Sequence, residues 1–110
     1  MPGNTAYCVS KGGVRMLTKT AGVELASKGI RIVNVAPGAT ATRLTANLLD
    51  SPAEMKAVEA AIPVGRIAAP SEIADVVIFL ASDAARYVTA TTVYVDGGLM
   101  IGSPNRHPPR

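Results

Sequence analysis

Several residue types are scarce in this 110-residue chain, and each scarcity excludes a class of protein. The one cysteine, Cys8, cannot form an internal disulfide, which favours a reducing cytoplasm. Tryptophan is absent and phenylalanine occurs once, so the chain lacks a platform on which nucleic-acid bases stack. The only histidine, His107, lies near the end, and no acidic cluster has ligand spacing. We therefore predict no metal site.

Long apolar runs are also missing. The longest, residues 76–81 (VVIFLA), is far too short to cross a bilayer, and the first residues have neither the basic nor the apolar part of a signal peptide. We expect a cytoplasmic protein that contacts no membrane. Part of the net charge of +3 comes from residues 102–110, a proline-rich segment that we predict to be a flexible tail. No basic stripe remains elsewhere, so nucleic-acid binding is not expected.

The apolar pattern predicts one long helix over residues 6–27, with Gly29 as its stop signal. Two apolar stripes run along roughly opposite sides of this helix, so we expect it to be covered on both sides. Its own sheet is one candidate cover, and a second helix from the same or another subunit is the other. The first stripe is Val14, Leu17, Ala21 and Leu25, and the second is Val9, Met16 and Val23.

Two β-strands are predicted further along the chain. Residues 30–36 (IRIVNVA) are β-branched and almost continuously apolar, which is typical of a parallel strand buried on both faces. Residues 91–95 (TTVYV) predict a second strand, ended by a structural turn at residues 96–98 (DGG).

Helices are predicted between the two strands. Ser51 and Glu54 have the spacing of a capping box, with Pro52 at the first helical position and the helix continuing to about Ala61. Pro70 opens the next helix, with an acidic residue, Glu72, favourable in its first turn.

This order of elements predicts the α/β class. A strand, a helical crossover and another strand imply a parallel pair with a right-handed connection. Two parallel strands do not form an independent sheet, and the first strand is expected to have a neighbour that this chain does not encode. We therefore interpret the chain as the C-terminal part of a doubly wound, Rossmann-type parallel sheet, with a long helix followed by two parallel strands and crossover helices.

Tyr7 and Lys11 stand four positions apart, on one face of the predicted helix. They lie beside the first apolar stripe, so we expect them to face the protein. A free phenol has a pKa of about 10, and a nearby ammonium favours its ionised form, which makes such a pair a device for proton transfer. The same spacing also occurs in ordinary pairs on helix surfaces, and spacing alone does not separate the two interpretations.

Three longer segments carry a resemblance to a known family. "YCVSKGG", "GVELASKGIRIVNVAPGATAT" and "IPVGRIAAPSEIADVVIFLASDAARYVTATTVYVDGG" follow one another at the right separation. Together they resemble the short-chain dehydrogenase/reductase family over nearly all of residues 2–100. Within that family the amino-acid sequence of these segments is most similar to that of glucose 1-dehydrogenase-like members. The resemblance implies that residues 1–101 are the C-terminal part of a single short-chain dehydrogenase domain.

The resemblance implies an NAD(P)-dependent oxidoreductase that interconverts an alcohol or sugar hydroxyl and a carbonyl. Tyr7 is then the general acid/base, and Lys11 supports it while holding the nicotinamide ribose. Residues 44–62 are the implied flap over a small-molecule substrate. The cofactor is NAD or NADP, and its implied contacts are Tyr7, Lys11, Pro37, Gly38, Ala39, Thr40 and Thr42.

Simpler interpretations stand beside these roles. Pro37 and Gly38 also fit a turn that ends a strand. Ser10 fits a local helix hydrogen bond better than catalysis, and Cys8 fits a small buried residue better than a nucleophile.

The resemblance also has gaps. The family uses a serine and an asparagine well upstream of the tyrosine, and Asn4 and Thr5 lie too close to Tyr7 to replace them. The family's glycine-rich turn for the pyrophosphate does not occur in this chain. We therefore expect the chain to be a fragment that is inactive alone. The full-length protein is expected to be a homodimer or homotetramer formed through helix 6–27 and the C-terminal strand. The alternative function is a non-catalytic oligomerisation or interaction fragment.

Overall fold

The computed structural model describes residues 3–101, without the side chains of residues 44, 48 and 49. These residues contain four helices and two strands, in the order α1 (Thr5–Ala26), β1 (Val33–Pro37), α2 (Ala46–Leu49), α3 (Pro52–Ala61), α4 (Pro70–Ala81) and β2 (Thr91–Val95). Short 3₁₀ turns lie at Arg43–Thr45 and Asp83–Ala85. The α/β class is confirmed. The predicted tail, residues 102–110, lies outside the described residues.

The two strands are hydrogen-bonded neighbours, and they form the one sheet found in residues 3–101. Near their starts, the Ala90 N–H donates to the Ile32 carbonyl at 2.8 Å, and beyond their ends the Gly38 N–H donates to the Val95 carbonyl at 3.0 Å. The pairing therefore advances in the same direction along both strands, as in a parallel sheet. The predicted parallel pair is confirmed.

Contacts between Cα atoms divide the chain into two compact units. The α1 unit contains residues 3–35 together with Phe79–Val93, and the loop unit contains Ala36–Ile78 together with residues 94–101. Within residues 3–101, no helix is long and apolar enough to cross a membrane.

In the α1 unit, α1 ends through a Schellman motif. The Gly29 N–H donates to the Ala26 carbonyl, and the Ile30 N–H donates to the Leu25 carbonyl. Gly29 has φ of +74°, a conformation in which other residues are strained. The prediction that Gly29 stops this helix is confirmed.

The buried side of α1 differs from the predicted one. Thr18 is 5% exposed and Gly22 is also buried, whereas Val14 and Leu17 of the first stripe are exposed. Thr18 tolerates burial because its hydroxyl donates to the Val14 carbonyl at 2.8 Å. The helix packs through small residues in its second half, and residues 3–17 are exposed throughout. Residues 3–101 therefore cover one side of α1, and the second cover, from another helix or subunit, stays a prediction.

The first strand is shorter and less buried than predicted. Ile30 belongs to the motif that ends α1, and the Ile32 N–H donates to the Thr89 hydroxyl at 3.1 Å, so the strand begins only at Val33. Its residues are half-buried up to Ala36, and Pro37 is exposed. Burial on both faces requires layers that residues 3–101 do not supply.

Arg31 ties the end of α4 to the start of β1 within the α1 unit. Its guanidinium donates to the main-chain carbonyls of Leu80 at 2.8 Å, Val88 at 3.2 Å and Ser82 at 3.3 Å. A cation at the C-terminal end of a helix is also favoured by the helix dipole. A planar group with several N–H donors can satisfy three carbonyls at once, so arginine is suited to this position.

We expect Arg31→Met to lower the free energy of unfolding by about 2 kcal/mol, because hydrogen bonds from a charged donor are lost while the aliphatic packing is kept. Arg86→Met is the matched control, since Arg86 is exposed and its guanidinium donates to a carbonyl three residues away, that of Asp83; its expected cost is below about 0.5 kcal/mol. Urea unfolding followed by circular dichroism measures both. Equal costs for the two variants would contradict the anchoring role of Arg31.

In the loop unit, α3 begins at the predicted residue without the predicted capping box. Pro52 is the first helical residue, but the Ser51 side chain accepts no capping hydrogen bond. Instead the Ser51 main-chain carbonyl accepts the Met55 N–H at 2.9 Å. Proline at the first helical position carries no N–H, so one donor fewer needs a cap there.

The start of α4 is held by Glu72, as its acidic character predicts. The carboxylate accepts the Ala69 N–H at 2.8 Å and pairs with both terminal nitrogens of Arg66 at 2.6 and 2.7 Å. The hydrogen bonds from Arg66, followed by that from Ala69, lower the pKa of Glu72 to about 2. The carboxylate therefore stays ionised at neutral pH and keeps capping the helix.

Candidate active site

Tyr7 and Lys11 lie one turn apart near the start of α1, in the α1 unit. The Lys11 Nζ atom lies over the Tyr7 ring, 5.4 Å from its centroid, which is within the range of a cation–π contact. The two side chains therefore share one face, as their spacing predicts. The contact places the ammonium over the face of the Tyr7 ring.

The pair does not face the protein interior. Tyr7 is 62% exposed and Lys11 is also exposed, so the prediction that they point inward is wrong for residues 3–101. The residues of the first half of α1 are all exposed, and the buried residues of this helix, Thr18 and Gly22, lie further along.

The two neighbours of this pair have simple roles. The Ser10 hydroxyl donates to the Tyr7 main-chain carbonyl at 2.7 Å, which is the local helix hydrogen bond expected of it. Cys8 is a free, exposed thiol, so its predicted burial is wrong. It lies on the same exposed part of α1 as Tyr7.

The predicted cofactor loop, residues 37–42, belongs to the loop unit and starts with a close contact between main chains. A Cβ atom on Gly38 would lie 2.6 Å from the Asp96 Cα atom and 2.8 Å from its Cβ atom. No side chain fits there, so glycine is required by the approach of the chain after β1 to the end of β2. The packing of the chain thus explains why glycine occupies position 38, without reference to a cofactor.

The middle of the cofactor loop is held by Ala68. The Ala68 N–H donates to the Ala39 carbonyl at 3.0 Å, and the Ala41 N–H donates to the Ala68 carbonyl at 2.9 Å. Thr40 lies opposite Ala68 in this short parallel bridge, and its hydroxyl donates to the Gly38 carbonyl at 3.0 Å. Hydrogen bonds to main-chain N–H and carbonyl groups therefore hold this loop in one conformation.

Thr42 and Thr45 close the cofactor loop. The Thr42 N–H donates to the Thr45 hydroxyl at 2.8 Å, and that hydroxyl lies 2.8 Å from the Thr40 carbonyl. Thr42 itself is exposed. The sequence analysis did not identify Thr45 or Ala68. A threonine three residues after Thr42, at the start of a helix, is the one signal that pointed to Thr45.

The predicted site residues thus fall into two groups. Tyr7 and Lys11 lie together on α1, and Pro37, Gly38, Ala39, Thr40 and Thr42 lie together on the cofactor loop of the other unit. Among residues 3–101, no three His, Cys, Asp or Glu side chains come close enough to hold a metal ion.

Comparison with known proteins identifies the family. The family described as enoyl-(acyl carrier protein) reductase matches residues 1–100. The chain is 46% identical over 95 residues to 3beta-hydroxysteroid dehydrogenase 1 of Eggerthella lenta and 42% identical over 100 residues to glucose 1-dehydrogenase of Gluconobacter oxydans. These alignments cover 86% and 91% of the chain. The chain belongs to the short-chain dehydrogenase/reductase family.

Solved structures agree with this assignment. Gluconate 5-dehydrogenase from Burkholderia cenocepacia J2315, in complex with NADP and tartrate, is 38% identical and superimposes with a TM-score of 0.80 over 88% of the chain. 4-Hydroxyisoleucine dehydrogenase complexed with NADH is 30% identical, with a TM-score of 0.85 over 89% of the chain. The match to these dehydrogenases confirms that the chain has the fold of part of a Rossmann-type domain.

The chain spans a minor part of each relative. It covers 36% of the steroid dehydrogenase and 38% of the glucose 1-dehydrogenase, and 38% and 40% of the two solved chains. The predicted likeness to glucose 1-dehydrogenase is confirmed, but a steroid dehydrogenase matches at similar identity. The comparisons therefore establish the family of the chain and do not select a substrate.

Proposed function

We propose that the chain contributes the proton-transfer helix and the substrate side of an NAD(P)-dependent oxidoreductase. The observation that carries this proposal is the Tyr7–Lys11 pair, placed on one accessible face of α1 in a chain of the short-chain dehydrogenase/reductase family. The substrate is an alcohol or a carbonyl compound of small size. Residues 1–101 then form the C-terminal part of a single domain.

Tyr7 donates a proton to the substrate oxygen when a carbonyl is reduced, and accepts it when an alcohol is oxidised. Lys11 places a positive charge over the Tyr7 ring, and its three N–H donors suit the ribose hydroxyls of the cofactor. When bound, the nicotinamide ring of NAD or NADP supplies or accepts the hydride.

The cofactor loop fits the nicotinamide end of such a cofactor. It follows the carboxyl end of β1, where ligands bind in open α/β sheets. Hydrogen bonds with Ala68 and Thr45 fix its main chain. Ala39, Thr40 and Thr42 can therefore line one side of the nicotinamide site. The gluconate and hydroxyisoleucine dehydrogenases that share this fold carry NADP and NADH, which supports either dinucleotide here.

A second candidate function is association without catalysis. Val9, Met16 and Val23 repeat every seven residues along α1 and are 69%, 57% and 70% exposed. A seven-residue apolar repeat is typical of a helix that packs along another helix. This supports the proposed homodimer or homotetramer through α1 and the C-terminal strand, and it is compatible with a purely associative role. The free, exposed thiol of Cys8 supports a cytoplasmic, reducing location.

The test uses a chimera in which this chain replaces the 100 aligned residues of the Gluconobacter glucose 1-dehydrogenase. We expect the chimera to reduce NAD or NADP, followed at 340 nm, with an alcohol from a panel of sugars, polyols and hydroxysteroids. The 110-residue chain alone is expected to give no turnover, because it has no glycine-rich motif for the pyrophosphate. A folded chimera without turnover on any member of the panel would favour the associative function.

A further inference from the structure

The turn after β2 is built around Asp96. Its Oδ1 atom accepts the Gly98 N–H at 2.9 Å and its Oδ2 atom accepts the Met100 N–H at 2.9 Å. Gly97 and Gly98 have φ of +63° and +91°, which glycine adopts at little cost. Both carboxylate oxygens therefore fix the path of the chain through residues 96–100.

One side of this turn contacts the start of the cofactor loop. The Gly38 N–H donates to the Val95 carbonyl at 3.0 Å, and the space for a Cβ atom on Gly38 is filled by Asp96 main-chain and Cβ atoms. The direction in which the loop leaves β1 is thus set by the position of Asp96. A displaced Asp96 would leave Gly38 without its packing partner.

The other side of the turn contacts the end of the flap, residues 44–62. The Val64 N–H donates to the Gly97 carbonyl at 3.1 Å, and a Cβ atom on Gly97 would lie 2.8 Å from the Ile62 Cγ2 atom. Ile62 is 3% exposed, so this contact belongs to the core of the loop unit. The same turn therefore supports the cofactor loop and the flap.

We infer that Asp96 is a positioning residue, which sets the cofactor loop and the end of the flap through one turn. It acts through Gly38 on one side and Gly97 on the other. The inference rests on the proposed function, because the cofactor loop has its assigned purpose only in a dehydrogenase. The carboxylate is needed in particular, since its two oxygens hold two N–H groups.

The kinetic test replaces Asp96 in the chimera. We expect Asp96→Ala to raise the KM for the dinucleotide about tenfold, while kcat at saturating cofactor falls less than about threefold, because a loosened loop weakens binding rather than proton transfer. Asp96→Asn keeps one acceptor oxygen and is expected to give an intermediate KM. Asp75→Ala removes an exposed carboxylate of the same unit and should leave both constants unchanged.

A second measurement does not depend on catalysis. Hydrogen exchange in the 110-residue chain is expected to speed up at least about tenfold at the Gly38, Ala41 and Val64 amides in Asp96→Ala, and to stay unchanged at the Ala90 amide of the α1 unit. If the amides of the unchanged chain exchange too fast to compare, the same amides are measured in the chimera.

The outcomes separate the two proposals. An inactive but folded chimera that still loses protection in Asp96→Ala overturns the proposed function and leaves Asp96 as the residue that fixes the loop. An active chimera with unchanged KM and unchanged protection overturns the positioning role. A loss of folded protein with an unchanged KM also overturns it, because the turn then acts on stability alone.

Discussion

Gly22→Ala is expected to destabilise the chain by about 2–3 kcal/mol, although alanine favours helices more than glycine does. A Cβ atom on Gly22 would lie 2.7 Å from the Ala90 Cα atom, 2.8 Å from its Cβ atom and 3.0 Å from its nitrogen. Two of these atoms belong to the main chain just before β2, so no side-chain rotation can relieve the contact. α1 must shift away from this segment, and the buried face at Thr18 opens.

The same helix offers matched controls. A Cβ atom on Gly12 or Gly13 would meet nothing within 4 Å, so Gly12→Ala and Gly13→Ala are expected to stabilise by about 0.5–1 kcal/mol. Ala90→Gly should not rescue Gly22→Ala, because the Ala90 Cα and nitrogen atoms remain. Urea unfolding measures all four changes. If Gly22→Ala stabilised like its controls, the close approach at Ala90 would be refuted.

Tyr7→Phe is expected to lower kcat of the chimera by about a thousandfold, with the KM for the dinucleotide changed less than about threefold. The ring and its contact with Lys11 remain, so cofactor binding is kept while the proton donor is lost. Steady-state kinetics at 340 nm, at saturating and at limiting dinucleotide, measures both constants.

The control for this prediction is Tyr87→Phe, because Tyr87 is fully exposed, at 100%, and has no assigned role. It should leave both constants unchanged. A Tyr7→Phe chimera that keeps more than about a tenth of the parent kcat would remove Tyr7 from the proton-transfer role.

Local start and stop signals in the sequence, chiefly proline and glycine, predicted most of the secondary structure. Proline and glycine mark chain directions that few other residues allow, so the start of α4 at Pro70 and the stop of α1 at Gly29 were predicted correctly. The second strand, Thr91–Val95, was also correct at both ends. Such signals act within a few residues, and the sequence alone therefore contains them.

Burial was predicted less well, because periodicity finds apolar stripes without finding what covers them. Val14 and Leu17 form a regular stripe and are nevertheless exposed, while Gly22 carries the tight contact of α1. That contact depends on Ala90, which lies far away in sequence. The late start of β1 also depends on a residue far away in sequence, because the Ile32 N–H donates a hydrogen bond to the Thr89 hydroxyl.

In the candidate site too, local features were predicted from the sequence and long-range contacts were not. Spacing placed Lys11 over Tyr7, because both lie within one turn of a helix. The supports of the cofactor loop are long-range contacts, made by Asp96 to Gly38 and by Ala68 to Ala39. No local pattern in residues 37–42 contains them.

The central claim is that Tyr7 and Lys11 act as one unit, and a double-mutant cycle on kcat tests it most directly. At saturating dinucleotide, we expect Tyr7→Phe to cost about a thousandfold, Lys11→Met about a hundredfold, and the double variant no more than about a thousandfold. Once the phenol proton is gone, the ammonium has nothing left to support. A double variant that loses the product of the two factors would show that the residues act independently and would contradict the account.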